Sequence, residues 1–456
     1  MSSTPVEARN GNALQRLFAV APGEWPALLT AFGCAATLFA SYAVLRPVRD
    51  AMGITSSFQS LPWLFWGTFL GMLAIQPLYG WVMGRGTRGT ILPRIYLAFV
   101  AMLLGFWAWF MLQADHTWVA RAYFIWVSVF NLFVVSVFWS LMADVFTREQ
   151  AGRLFGMIAA GISTGGLVGP LLAATLAEPL GTINLLLVSA ALLTMSALLM
   201  RIVARMKPTA SDARPEPARA VLGGGAWDAF AQVARSPYLL AIALFVLLLT
   251  VANTVVYLEQ QRVVAAAFPA RDAQTAFFAT VDFWVQAGAL LGQFLLFARF
   301  QRRFGFATTI AIVPALMVVA FGMLAAAPGF TAVIACVFVR RIGEYALVRP
   351  SRDMLFTVVT PEEKYRAKNL LDTFVYRGGD ALSASAFAFV TALAASHPSA
   401  GGLVGVAGAL AWLAVALWLG RAFQRKAAAQ AAERAASSAS QSAASRSKNA
   451  SGPDGA

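Results

Sequence analysis

The chain is short of the groups on which covalent chemistry usually rests. Its 456 residues include two cysteines and two histidines, and only 12% of them are charged. Cys34 and Cys336 lie far apart inside apolar runs, the setting of reduced core thiols rather than of a disulfide. His116 and His397 fall in separate loops between apolar segments, far apart in sequence, and have the look of neither catalytic nor metal-binding residues. There is no phosphate-binding Gly-x-x-x-x-Gly-Lys loop, no metal-ligand cluster and no nucleophile–base pairing. Enzymatic catalysis and ATP-hydrolysing transport are therefore disfavoured, and no cofactor or metal is expected.

What the chain has in excess is apolar. Hydrophobic residues make up 59% of it, with 34 Phe and 13 Trp, which is the composition of a polytopic membrane protein and leaves no room for a soluble catalytic domain. The net charge of +14 would point to nucleic acid in a soluble protein. Here it follows from basic residues gathered in the loops of one side, so no nucleic-acid partner is expected and the bilayer is the partner. The polar first 25 or so residues carry Arg9 and Arg16, and no small-residue cleavage site follows them, so the first apolar run reads as a retained helix rather than a signal peptide.

Runs long enough to span a bilayer occur at roughly 26–46, 61–83, 91–112, 119–143, 154–177 and 182–203, and again at 237–258, 274–298, 306–326, 330–348, 370–395 and 401–420. The expectation is an all-α fold of twelve transmembrane helices in two six-helix bundles, 26–203 and 237–420. A cytoplasmic N-terminus (1–25), a solvated linker (204–236) holding Lys207, Pro208, Arg214, Arg219 and Gly223–Gly225, and a disordered tail (421–456) complete it. Placing both termini in the cytoplasm puts Arg85, Arg88, Arg94, Arg148, Arg153, Arg299, Arg302, Arg303, Lys364, Arg366, Lys368 and Arg421 on that side. The opposite loops keep little beyond Arg121 and Arg271.

Within this apolar frame one charged stretch occurs twice. Tyr42-Ala43-Val44-Leu45-Arg46-Pro47-Val48-Arg49-Asp50 is echoed by Tyr345-Ala346-Leu347-Val348-Arg349-Pro350-Ser351-Arg352-Asp353. On a helix Tyr42, Arg46, Arg49 and Asp50 form one stripe. The proline removes a backbone donor and predicts local unwinding that frees a carbonyl. An arginine at membrane depth costs roughly 2.5–3.5 kcal/mol on insertion scales, so the repeated pair is a candidate functional site; interfacial ion pairing with snorkelling arginines is the alternative.

A second repeat relates the two halves. A shift of 213 residues lays Val145 on Val358, Thr147 on Thr360, Glu149 on Glu362, Arg153 on Arg366 and Gly165–Gly166 on Gly378–Gly379. A duplicated pair of bundles with a solute site near the midplane is the simplest reading. The same shift places Glu259 and Arg262 at the levels of Arg46 and Arg49. These two form either a gating element or a structural pair. Asp282, with no basic residue nearby in sequence, is a candidate for gating or proton coupling, and Asp372, Tyr376 and Asp380 form a stripe with Arg377 beside it.

These features resemble the major facilitator superfamily. Gly156, Gly165, Gly169–Pro170 and Ala173–Ala174 stand where its antiporter motif has spaced glycines, a Gly-Pro and a small pair, which implies a gating role for Gly169 and Pro170; mere close packing of a helix pair is the alternative. The loop from Gly80 to Leu92, with Arg85, Gly86 and Arg88, resembles the other signature loop but has Gly84 in place of its aspartate. More narrowly, Tyr42–Asp50, Phe138–Trp139 leading to Asp144, Arg153–Gly156 and Pro350–Met354 followed by Glu362–Asp372 resemble the ATP/ADP translocases of intracellular bacteria and plastids. Their basic residue falls on Arg49, with its counterpart on Arg352, while Pro47 replaces a frequent aspartate.

The resemblance implies a secondary active transporter that exchanges an anionic, phosphorylated metabolite such as a nucleotide. The residues agree on an anion: Arg46, Arg49, Arg349 and Arg352, with Arg340 and Arg341, outnumber Asp50, Glu344 and Asp353, and guanidinium forks grip phosphate or carboxylate. Tyr42, Tyr345 or Trp139 would stack a purine. Asp50 and Asp353 join Glu259, Arg262 and Asp282 as gating or coupling residues. The chain is expected to be a monomer in a bacterial inner membrane. A proton-coupled exporter of organic solutes and a non-transporting scaffold or sensor are the alternatives.

Overall fold

The computed structural model describes residues 20–83, 88–206, 226–393, 397 and 399–450. Arg9 and Arg16, the loop residues Gly84, Arg85 and Gly86, and the linker from Lys207 to Gly225 lie outside them. Among the described residues the chain is helical, without a strand. Its long helices are α1 (Trp25–Thr55), α2 (Leu61–Met83), α3 (Arg88–Leu112), α4 (Thr117–Val145), α5 (Arg148–Leu180) and α6 (Leu185–Arg205). After a short helix, Ala226–Arg235, come α7 (Pro237–Ala267), α8 (Arg271–Leu295) and α9 (Phe297–Ala326). The helix α10 (Phe330–Gly343) passes through a π turn, Glu344–Val348, into Arg349–Leu355. The helix α11 (Pro361–Leu370) does the same through Leu371–Val375 into Tyr376–Leu393, and α12 (Ala400–Ala450) ends the described chain.

Nine of the described helices are long and apolar enough to cross a membrane, not the twelve expected. The three expected spans that fall short are α8, α10 and α11. Asp282, Gln286 and Gln293 dilute α8, whereas α10 and α11 are each interrupted by a π turn, which leaves a 14-residue helix in the first and, in the second, a helix that opens on Arg377 and Asp380.

The chain forms two compact units, Met1–Val221 with Leu258–Leu290 and Leu222–Tyr257 with Leu291–Ala456. This departs from the simple division at the linker, because specific contacts hold Leu258–Leu290 in the first unit. The Thr182 amide donates to Asp272 Oδ1 at 2.7 Å and its hydroxyl to Thr275 at 2.9 Å. Arg271 donates to His116 Nδ1 at 2.9 Å, which leaves the ring proton on Nε2 to face the Phe110 carbonyl at 3.0 Å. Ala51 packs with Val264 and Phe278 in a small apolar cluster.

In the first unit α1 packs against α4, α5 and α6. Its approach to α5 is close because glycines line the seam. A Cβ on Gly161 would lie 2.6 Å from the Phe32 carbonyl oxygen, one on Gly165 2.2 Å from that of Ala36, and one on Gly169 2.6 Å from that of Ala40. Gly156, grouped with these glycines from the sequence, meets nothing within 4 Å, whereas Gly161 was not singled out and is part of the seam. Small residues let helix backbones touch where lipid offers no hydrophobic drive for association.

The repeat is visible in local structure. Thr147 and Thr360 both cap the helices that follow them. Each hydroxyl accepts from the amide three residues on, and the Gln150 or Glu363 side chain returns to the cap amide. At the start of α1, Glu24 accepts from Arg153 at 2.9 and 3.2 Å, from Gln150 at 3.0 Å and from the Ala21 amide at 2.9 Å. Burial pulls this carboxyl upward, but the hydrogen bonds from Arg153, Ala21 and Gln150 outweigh it and hold it below the ordinary carboxylate range.

In the second unit α9 bends at Gly305, whose φ of 76° suits only glycine without strain, and packs along α12. The tail corrects the expectation of disorder, since α12 continues to Ala450. Alanine is the strongest helix former, and the tail is tied down at its base: Phe423 packs on Phe306 at 4.1 Å, Lys426 lies over Tyr238 and Gln430 donates to the Val358 carbonyl at 3.1 Å.

Two expected outcomes follow from these contacts. Gly165→Val lowers the melting temperature and folded yield in detergent, whereas Gly156→Ala is neutral or gains up to about 1 kcal/mol, the helix-propensity difference between the two residues. Glu24→Gln destabilises by about 0.5–1 kcal/mol at neutral pH. Because the folded value lies below the unfolded one, the contribution is present above the ordinary carboxylate range and disappears as pH falls through the folded value, so acid melting curves of variant and parent converge.

Candidate functional site

The two copies of the charged stretch fold differently around their prolines. In α1 the helix runs through Pro47 without changing type. In α10 the backbone widens into the π turn Glu344–Val348, and the Arg349 amide bonds to the Glu344 carbonyl, five residues back. The next carbonyl, that of Tyr345, would need the amide of residue 350, which is proline and has none. The Gln293 side-chain amide donates to it instead, at 3.1 Å. The freed carbonyl expected from the sequence is therefore present in the second copy and held by α8.

The charges of the first unit lie along α1 and its partners. Arg46 pairs with Asp282 at 3.6 Å, which supplies the partner that no sequence neighbour provided for that aspartate. Arg49 folds back on Asp50, with Nε at 3.0 Å and a terminal nitrogen at 2.7 Å from the same oxygen, and its guanidinium lies over the Phe124 ring at 5.2 Å. Tyr42 packs edge-on against Phe39. Glu259 and Arg262 pair at 3.7 Å, the carboxylate buried and the guanidinium 58% exposed. Gly169 lies on the seam side of α5, against Ala40 and Ala43, and Pro170 follows it as a buried residue within the helix. Trp139 packs in the core against Phe138 and Phe155.

In the second unit the arginines of the motif find partners on other helices. Arg352 pairs with Asp372 of α11 at 3.3 Å, while Asp353 is taken by Lys368 at 2.9 Å. Arg349 is exposed and lies over the ring of Tyr345 at 5.1 Å, among buried Ala346, Leu347 and Val348. A guanidinium stacked on a ring face keeps its edge, with the N–H donors, available to an anion. Deeper on α10, Arg340 pairs with Glu344 at 2.8 Å and also donates to Asn253 of α7. Tyr376 of α11 completes this group, and Arg377 pairs with Asp380 beside it at 3.7 Å.

Sequence reasoning missed Asn253 altogether. Its signal was present, as the lone amide in the run from Tyr238 to Leu258. Among the described residues no group of histidine, cysteine, aspartate and glutamate side chains could hold a metal ion.

Comparison with known proteins places the fold. No protein-family model matches the chain. Over 334 residues it is 22% identical to ADP,ATP carrier protein 1 of Chlamydia muridarum (strain MoPn / Nigg), a stretch that covers 64% of this chain and 60% of that carrier's length. Among solved structures, the nucleoside transporter NupG is similar at a TM-score of 0.60 and 14% identity, covering 88% of this chain and 98% of that one. A bacterial homolog of the human lysosomal transporter Spinster matches at 0.56 and 17% identity, covering 89% and 96%. A transporter of the POT family matches at 0.59 and 11%, covering 85% and 95%. The chain therefore shares the all-α fold of these transporter structures, and with nine described helices long and apolar enough to cross a membrane it is a multi-pass membrane protein.

The Arg46–Asp282 pair gives a directional expectation. Asp282 is the more deeply buried member, so Arg46→Ala, which strands a carboxylate, destabilises more than Asp282→Ala, which leaves a guanidinium able to reach water. The double variant loses less than the sum, by a coupling of about 0.5–3 kcal/mol in a thermal-shift cycle.

Proposed function

We propose that this protein is a secondary active transporter that exchanges an anionic phosphorylated metabolite, a nucleotide in the first instance, by alternating access. The observation that carries the reading is the repeated arginine motif on helices. It sets a guanidinium over an aromatic ring in each unit, Arg49 over Phe124 and Arg349 over Tyr345. Charge of this kind inside apolar helices is costly and persists where a ligand needs it. The similarity to an ADP,ATP carrier supports the same solute class, and the likeness of fold to solved transporters supports the mode of action.

In this reading Arg46, Arg49, Arg349 and Arg352 bind phosphate oxygens, and Tyr42 and Tyr345 contact the rest of the solute. Asp50, Asp353, Glu259, Arg262 and Asp282 are the counter-charges released and recaptured through the cycle, and Gly169–Pro170 supply a seam on which α5 moves. Arginine suits the binding task better than lysine because its planar fork meets two phosphate oxygens at once. The reading includes a bacterial inner membrane, cytoplasmic termini and a monomer. A scaffold that merely kept the fold would use these arginines only in ion pairs, and transport measurements separate the two.

The test is counterflow of labelled ATP and ADP in liposomes holding the full-length protein. Arg352→Ala, whose partner Asp372 reaches water, is expected to insert and melt close to the parent, and Arg49→Ala, which strands the buried Asp50, to insert with a lowered melting temperature; in both, exchange falls roughly ten- to a hundredfold, the effect of losing one charge-assisted contact. Arg49→Lys restores part of it. Undiminished exchange by both well-folded alanine variants overturns the assignment.

A further inference from the structure

Four side chains of the second unit close a ring that the anion site as described does not use. Arg340 donates to Glu344 Oε2 at 2.8 Å and to Asn253 Oδ1. The Asn253 amide donates to the Tyr376 hydroxyl oxygen at 3.0 Å, and that hydroxyl donates to Glu344 Oε1 at 3.4 Å. The donor directions are mutually consistent, and each of α7, α10 and α11 contributes. Both π turns abut the ring: Glu344 opens one, and Tyr376 directly follows the other. A π turn adds a residue and re-aims the side chains on either side of it, and such turns concentrate at functional sites. The backbone around the ring is tightly held, since a Cβ on Gly343 would lie 2.8 Å from Val313 and one on Gly379 2.5 Å from the Thr250 hydroxyl.

The ring neutralises Arg340 in this state without exhausting it. Arg340 Nε is buried and makes no hydrogen bond among the described residues, so the guanidinium holds a donor in reserve. Glu344 is faced on its own helix by Arg340 and, within electrostatic reach, by Arg349, while Arg341 acts on Arg340. From α11 it is faced by Tyr376, on which the Arg377–Asp380 pair acts. From α7 comes the uncharged Asn253, and α9 presents Val313 at Gly343. Separating Arg340 from Glu344 in so dry a place would strand a carboxylate, and the way to relieve that is to neutralise it.

We propose that Glu344 is the resident counter-anion of Arg340 and a proton-binding group, with Asn253 and Tyr376 as its positioning residues. A phosphate arriving at Arg349 recruits Arg340, and as Glu344 releases the guanidinium it takes a proton from hydronium or a buffer acid of the solution. The donor's bond to that proton breaks, the carboxyl O–H forms, and no other covalent bond changes. The inference rests on the anion-exchange reading and adds to it a proton that enters with the anion.

The probe is inorganic tripolyphosphate, titrated calorimetrically into the full-length protein in detergent, in buffers of differing ionisation enthalpy and at several pH values. The parent is expected to take up about one proton more per ligand than Glu344→Gln, the ligand's own ionisation being common to both. Glu344→Gln binds as tightly or more tightly, because the competing carboxylate is gone. Tyr376→Phe remains proton-linked, with its profile displaced to higher pH, because the carboxylate has lost a donor. Arg349→Gln binds at least roughly tenfold more weakly. Equal proton uptake by the parent and Glu344→Gln overturns the inference while leaving the anion reading intact. An unshifted profile in folded Tyr376→Phe does the same, and keeps the test decisive if Glu344→Gln does not fold. Absence of binding by the parent, or undiminished binding by Arg349→Gln, overturns the anion reading and this inference with it.

Discussion

A charge placed inside a membrane-spanning helix has to be met by another group at the same depth, and most of this protein's organisation follows from that requirement. Loss of hydration there is repaid only by close, well-directed partners. Four arginines of these helices accordingly have one: Arg46 has Asp282, Arg49 has Asp50, Arg340 has Glu344 and Arg352 has Asp372. Such pairings bind helices together as well as neutralising them. The Arg46–Asp282 pair, with Thr182–Asp272 and Arg271–His116, draws Leu258–Leu290 into the first unit although it belongs to the later half of the sequence.

The second constraint is the backbone. Apolar side chains gain little by leaving lipid for another helix, so association depends on close contact and on hydrogen bonds. The Gly161–Gly165–Gly169 seam provides the first for α1 and α5, and Gly379 provides it for α11 against Thr250 of α7. Proline supplies the opposite, a missing donor. Its consequence depends on the neighbours: α1 carries Pro47 as a regular helix, while the motif around Pro350 widens into a π turn whose stray carbonyl is caught by Gln293.

What the sequence made legible is what is local. The apolar runs, the matched threonines Thr147 and Thr360, the matched glycine pairs and the duplicated motif are all encoded within one or two helical turns, where residue spacing maps directly onto geometry. What it hid is what depends on packing. Asp282 lacks a basic neighbour in sequence, and its partner stands 236 positions away on α1. The Arg340–Glu344 pair was readable as an i, i+4 contact, but its closure through Asn253 and Tyr376 depends on which faces α7 and α11 present after a π turn, and no local spacing fixes that. The tail failed for another reason. Its alanine and serine carry no hydrophobic periodicity, but alanine propensity together with anchors at Phe423 and Gln430 makes a helix.

The two motif copies, alike in sequence, differ in what must happen for their arginines to be freed. Arg49 is held by Asp50, the next residue of its own helix, so that pair travels with α1 and survives any movement of α1 against its neighbours. In the second unit the partners come from elsewhere: Arg352 from Asp372 on α11, Asp353 from Lys368, and Arg340 from Asn253 on α7 as well as from Glu344. A shift of α10 against α7 or α11 must break those contacts, and a change in the charge of Glu344 or Asp372 must loosen the helices that the contacts join. Helix packing and charge state are therefore one variable in the second unit and two separate variables around Arg49, which makes α10, with its π turn and clamped glycines, the element on which a binding event has the most leverage.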